Sequence, residues 1–152
     1  MANEIQDKLA SPANFTLTLA SLASGAARQS TLVSNSGKQP RALVFIQIES
    51  GAAAPAAGKL YEVYLIRSNG TIADDNAGAS DAAITIENAK LLDTLVVTNT
   101  ANKKFYAVMD TAPLGPLGAS WGIAVKNATD QSLNGTEGNH GYSYTYDIPE
   151  IQ

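Results

Sequence analysis

The sequence predicts an all-β protein: a single antiparallel β-sandwich, jelly-roll-like, with about eight or nine strands and an extended N-terminal arm. Apolar and polar residues alternate with period two in short runs, and Gly, Pro, Asn, Asp or Ser breaks the pattern about every 8 to 12 residues. Helical periodicity is nearly absent. With 152 residues the chain can bury one core of ordinary size, and it has no Cys, so packing and hydrogen bonding must hold it together.

Residues 1–12, ending at Ser11 and Pro12, read as an arm, and residues 13–152 as the sandwich domain. Phe15, Leu17 and Leu19 alternate with Thr16 and Thr18, which predicts a first strand with one apolar and one hydroxylated face. Arg28 to Ser34 follows as a more polar strand. Arg41 to Ser50 is the strongest strand signal, with Leu43 and Phe45 on one face and Val44, Ile46 and Ile48 on the other, as expected of a central position. Gly51 to Gly58 (GAAAPAAG) is a low-complexity loop, and Lys59 to Arg67 is a strand expected to pair with the one before it.

Ser68, Asn69 and Gly70 supply a turn, because Asn and Gly tolerate positive φ. Ala73 to Asp81 is a polar, acidic loop. Ala83 to Glu87, Leu91 to Asn99 and Phe105 to Asp110 read as three further strands. Pro113, Gly115, Pro116 and Gly118 exclude helix interior and central strand from the next segment. Trp121 to Asn127 returns to strand, with Trp121, Ile123 and Val125 on one face. Tyr142 to Ile148 closes the domain with Tyr142, Tyr144 and Tyr146 in alternation.

Composition narrows function. Ten Lys and Arg against 14 Asp and Glu give a formal net charge of -4, with no basic cluster, so a nucleic-acid partner is not expected. Charged residues make up 16% of the chain, below the roughly 25% usual for soluble proteins. No apolar run is long enough to span a membrane, and Met1 to Leu9 does not resemble a secretory signal. The Asn-x-Ser/Thr sequences at Asn14, Asn69, Asn127 and Asn134 are accordingly read as chance matches in an Asn- and Thr-rich chain.

Catalytic chemistry is sparsely provided for. His140 is the single histidine, in a Gly-flanked turn where it is expected to satisfy backbone groups, and no nucleophile elbow, metalloprotease helix or phosphate loop is present. No catalytic, cofactor or metal residue is assigned, and the expectation is a non-enzyme. The acidic loop from Asp74 to Asp81 offers oxygen ligands around Gly78, which leaves a Ca²⁺ site open, but it lacks the closing Glu of an EF-hand. The tyrosine stripe Tyr142, Tyr144 and Tyr146 is read either as a core edge with wet hydroxyls or as an interface or sugar-stacking surface.

The segments ANFTLTLASLASGAARQSTLVSNS, KLYEVYLIRSNGT, WGIAVKNATDQSL and GNHGYSYTY resemble small structural proteins of tailed bacteriophages, over nearly the whole chain from Ala13 onward. The resemblance implies a virion component made in the host cytoplasm, a capsid decoration (cement) protein on the shell surface. Its partner would be the phage major capsid protein, and it would form a homo-oligomer, a trimer by preference. The alternative is a tail- or fibre-associated or glycan-binding adhesion module that takes a host surface glycan. Candidate interface residues are Ile5, Leu9 and Pro12 in the arm, Pro113, Leu114, Pro116 and Leu117 in the irregular segment, and Tyr142, Tyr144 and Tyr146.

Overall fold

The computed structural model describes residues 5–151. Among them are eleven strands: β1 (Ile5–Leu9), β2 (Ala13–Asn14), β3 (Ala27–Gln29), β4 (Val33–Ser34), β5 (Arg41–Glu49), β6 (Leu60–Ser68), β7 (Ala82–Ala83), β8 (Lys90–Val96), β9 (Lys104–Asp110), β10 (Ser120–Ala128) and β11 (Gly141–Ile151). One sheet runs β1-β11-β5-β9, with β2 also on β11. The other runs β7-β3-β10-β6-β8, with β4 also on β10. Every ladder is antiparallel.

If β1 with β2, and β3 with β4, count as one interrupted strand each, and the two-residue β7 is set aside, eight principal strands remain. They lie in the orders 1-8-3-6 and 2-7-4-5, the interleaving of a jelly-roll sandwich. No helix among the described residues is long and apolar enough to cross a membrane.

The core lies between the sheets and follows from period two. Ala42, Val44, Ile46 and Ile48 point inward from β5, Tyr61, Val63 and Leu65 from β6, and Trp121, Ile123 and Val125 from β10, all buried. Phe105 and Met109 of β9, together with Leu95, Val97, Leu117 and Leu133, complete it. A smaller cluster of Ile66, Ala89 and Ala124 lies on the opposite face of the β6-containing sheet, where Ile84, Ile86 and Ala77 from the excursion after β6 cover it. Part of this sheet is therefore covered on both faces, while Leu91 and Val96 at its β8 edge stay exposed. The outer face of the other is not covered in the same way, and Tyr106 and Val108 are exposed there.

Several expectations are corrected. Lys59 to Arg67 does not pair with the preceding strand: β6 lies between β10 and β8, because the chain crosses from one sheet to the other through the loop at 50–59. Residues 15–19 keep the predicted alternation of burial but join no ladder. Their backbone is shared out instead. Phe15 N–H donates to Tyr142 C=O on one sheet, Thr16 C=O accepts from Thr31 N–H, and the N–H groups of Leu19 and Ala20 donate to the Glu137 carboxylate at 2.8 and 2.7 Å. The strand expected at Ala83 to Glu87 shrinks to β7. The strand expected over Arg28 to Ser34 breaks into β3 and β4, which face different stretches of β10.

Residues 1–4 of the predicted arm lie outside the described residues. Its remainder contains β1, which pairs with Asp147 to Ile151 of β11. Because β5 pairs with β11 only as far as Asp147, β1 and the end of β11 continue past β5 as a two-stranded ribbon. Arg41 Nε lies 2.7 Å from Asp147 Oδ2 at its base.

Candidate functional site

The densest polar cluster surrounds His140, where the turns before β6, β9 and β11 converge. His140 is 8% exposed and Glu49 6%. The Glu49 N–H donates to His140 Nδ1 at 3.3 Å, while His140 Nε2 lies 3.1 Å from the Asn134 carbonyl. With Nδ1 accepting from the Glu49 N–H, Nε2 is the ring nitrogen placed to donate to the Asn134 carbonyl. The Glu49 carboxylate accepts from Asn134 Nδ2 at 2.8 Å and Asn139 Nδ2 at 3.2 Å. Both ring nitrogens are thus used in holding the turn at 134–140 against β5, in line with the satisfied loop residue expected of this histidine. Among the described residues the ring's hydrogen-bond partners are the Glu49 N–H and the Asn134 carbonyl.

The acidic loop is built in the same manner. Asp75 and Asn76 both take left-handed backbone conformations, with φ of 53°. The Asp75 carboxylate accepts the consecutive N–H groups of Glu87, Asn88 and Ala89 at 3.1, 2.6 and 3.0 Å. Asp74 accepts from Arg67 N–H at 3.0 Å, Asp81 is ion-paired with Arg28, and Gln29 Nε2 donates to the carbonyls of Gly78 and Ser80. The three carboxylates have three separate destinations. Among the described residues no three His, Asp or Glu side chains gather as a metal site would require.

Burial pushes the Asp75 carboxyl up, but its three backbone N–H donors outweigh that and hold it below its ordinary range. Asp81 is likewise raised by burial and lowered, on balance, by Arg28. Each folded-state value therefore lies below the unfolded one. The stability these groups contribute is complete above the unfolded value, about pH 4, and is lost as pH falls through the folded value. Thermal unfolding followed from pH 7 to pH 2 should show a midpoint falling below about pH 4. Asp75→Asn should start lower at pH 7 and decline less steeply. An acid limb identical to that of the wild type would remove Asp75 from the account.

The tyrosine stripe divides its predicted roles clearly. Tyr142, Tyr144 and Tyr146 are half-buried and packed on the core. Tyr144 meets Phe15 and Trp121 at centroid distances of 4.8 and 5.1 Å, and Trp121 Nε1–H donates to Tyr146 Oη at 2.9 Å. Burial pushes the Tyr144 phenol above its ordinary range. These rings form the edge of the core, Tyr144 meeting Tyr146 edge-on at 5.3 Å and 72°.

The other candidate residues are scattered. Leu117 is fully buried, and Leu114 packs on the core. Pro113 and Pro116 remain exposed beside them. Leu9 is 58% exposed and Pro12 is exposed, near the ribbon. The Ile5 side chain lies outside the described residues.

An exposed apolar surface lies elsewhere. On the uncovered outer face, Tyr106 is 67% and Val108 61% exposed on β9. They border an open depression of about 290 Å³ shared with Phe45 of β5. The residue pattern carries the signal. In Lys104 to Asp110, Phe105, Ala107 and Met109 face the core while Tyr106 and Val108 form a second apolar face. A strand apolar on both faces is either enclosed by its neighbours or presents apolar surface to solvent.

No protein-family model matches the chain, and no curated protein matches it in sequence.

Proposed function

We propose that the chain is a non-enzymatic structural protein of a tailed-phage virion, a decoration protein that binds the outside of the capsid and stabilises the shell. The observation that carries the reading is how the polar groups are used. Glu49, Asp74, Asp75, Asp81, Glu137 and His140 each fasten a loop to the sandwich. Groups committed to loop anchoring favour a rigid coat element over a reaction centre. The resemblance of the segments from Ala13 onward to phage structural proteins supplies the location, and the major capsid protein as partner.

The ribbon formed by β1 and the end of β11 is the element we assign to the shell. It extends beyond β5, and a two-stranded ribbon on its own is only marginally stable, so a partner surface would add to its order. Many equivalent sites on a shell would let a modest contact give durable attachment.

Purified shells lacking the protein, mixed with the purified chain and imaged, should show saturable density at symmetric outer positions. Deleting residues 1–12 should reduce occupancy at least tenfold while circular dichroism stays that of a β-sandwich. Failure of the full chain to bind shells would overturn the decoration role, and unchanged occupancy after the deletion would overturn the role of the ribbon.

A further inference from the structure

Among the described residues six strands, β1, β2, β4, β7, β8 and β9, are paired on one side only, and they are not equally protected; β2 and β4 are two residues long. Exposed backbone N–H and C=O groups on a strand edge invite another strand, so edges are usually short, bulged or charged in the middle. β7 has two residues. β8 has a register shift opposite Val63 and Tyr64, and Asp93 is exposed near its centre. β1 continues into the ribbon. β9 alone is a seven-residue strand in unbroken register with its neighbour, with its charges only at the ends, Lys104 and Asp110, and Tyr106-Ala107-Val108 between them.

The phase of its ladder shows which groups are unpaired. Thr111 N–H donates to Ala42 C=O at 3.1 Å and Ser50 N–H donates to Lys103 C=O at 2.9 Å. These bonds bracket the β5–β9 register, so residues 103, 105, 107, 109 and 111 bond to β5, and residues 104, 106, 108 and 110 turn their backbone groups to the open edge.

We infer that β9 pairs antiparallel with β9 of a second copy of this chain, about a two-fold axis at Ala107. In that register Lys104 lies opposite Asp110 of the second copy, and Tyr106 opposite its Val108. All of these residues present outward-turned backbone groups, so the hydrogen-bond phase is satisfied. The two Ala107 residues meet at a non-hydrogen-bonded position, and Phe105 lies opposite Met109. Both charge pairs are complementary and the apolar residues match on the outer face.

Sliding by one phase-compatible step, to centre the axis on Tyr106 or on Val108, sets Lys104 against Val108 or Asp110 against Tyr106 and leaves the charges unmatched. Charge complementarity therefore selects both the occupant and the register. The contact joins two uncovered outer faces into one continuous sheet and removes both β9 edges. It is isologous, hence distinct from the three-fold association implied by the phage resemblance, and it does not depend on the capsid reading.

Sedimentation velocity of the full chain should give a species of twice the 15.8 kDa chain mass. Lys104→Asp should weaken it about tenfold, because both symmetric pairs become repulsive, and Lys104→Asp combined with Asp110→Lys should restore it to within about threefold. Val108→Pro removes an N–H that β5 does not use, so it should yield a folded monomer.

The chain has no other cysteine, so Ala107→Cys should form an intermolecular disulfide under mild oxidation, the paired Cα atoms being about 4.5 Å apart. Asp93→Cys on β8 should not. A monomeric wild type overturns the inference. So does an assembly indifferent to Val108→Pro and the charge reversal, or one in which residue 107 fails to cross-link.

Discussion

Trp121→Ala is expected to remove about 3–5 kcal/mol of stability, a large part of the roughly 5–15 kcal/mol that holds a domain of this size folded. Trp121 is fully buried on the central strand β10. Its ring meets Phe15 edge-on at 5.2 Å and 88°, Tyr144 at 5.1 Å and 76°, and Tyr146 at 6.0 Å and 60°. Truncation opens a cavity where β10, β11 and the irregular segment at 15–19 meet. It also leaves Tyr146 Oη without its indole donor.

Urea unfolding should be followed by circular dichroism, because Trp121 is the one tryptophan and its fluorescence is lost with it. The midpoint should drop with the slope unchanged. Tyr146→Phe separates the two effects: it keeps the ring, orphans the buried indole N–H, and should cost about 1–2 kcal/mol. A Trp121→Ala cost under about 1 kcal/mol would mean that the aromatic cluster does not hold the sheets together.

The strength of the period-two signal explains which parts of this fold are legible in the sequence. At Trp121, Ile123 and Val125, or at Tyr61, Val63 and Leu65, alternation coincides with burial, and the strand bounds fall within a residue or two where Pro40, Gly58 and Ser68 break the pattern. Period two fixes which face of a strand is buried. It says nothing of which strand lies alongside, and in a jelly roll the chain changes sheet repeatedly, here after β2, β4, β5, β8, β9 and β10, so neighbours in sequence are seldom neighbours in space.

Residues 15–19 show a second limit. Their alternation reports contact with a core, and a backbone divided between two sheets and the Glu137 carboxylate satisfies that as well as a ladder does. The candidate interface was legible only in part. Leu117 sits among Pro and Gly in a segment that reads as loop, yet it is fully buried. Tyr106 and Val108 sit in a segment that reads as ordinary strand, and their exposure follows from β9 being an edge.

Gly51→Ala, by its letters the mildest change available in the loop Gly51 to Gly58, should cost about 2–4 kcal/mol. Three alanines follow Gly51 directly, and Ala52 and Ala53 are exposed, whereas Gly51 is buried. A Cβ at residue 51 would lie 2.3 Å from the Ser132 carbonyl oxygen and 3.4 Å from that of Leu133. Neither side can retreat. Ser50 is bridged to Leu133, Ser50 N–H donates to Lys103 C=O at 2.9 Å, Asn102 N–H donates to Gly51 C=O at 3.0 Å, and Ser50 Oγ donates to Thr100 C=O at 2.8 Å.

Moving Ser132 instead would pull on Leu133, a core residue whose N–H donates to Leu22 C=O, and on Asn134, whose side chain holds Glu49. The clash therefore propagates into the polar cluster around His140, and hydrogen exchange at the Glu49 and Asn134 amides should accelerate together with the fall in stability. Ala53→Gly, two residues on and open to solvent, should cost no more than about 1 kcal/mol, through the added freedom of the unfolded chain. Equal losses at positions 51 and 53 would show that the close approach of Gly51 to Ser132 places no constraint on the fold.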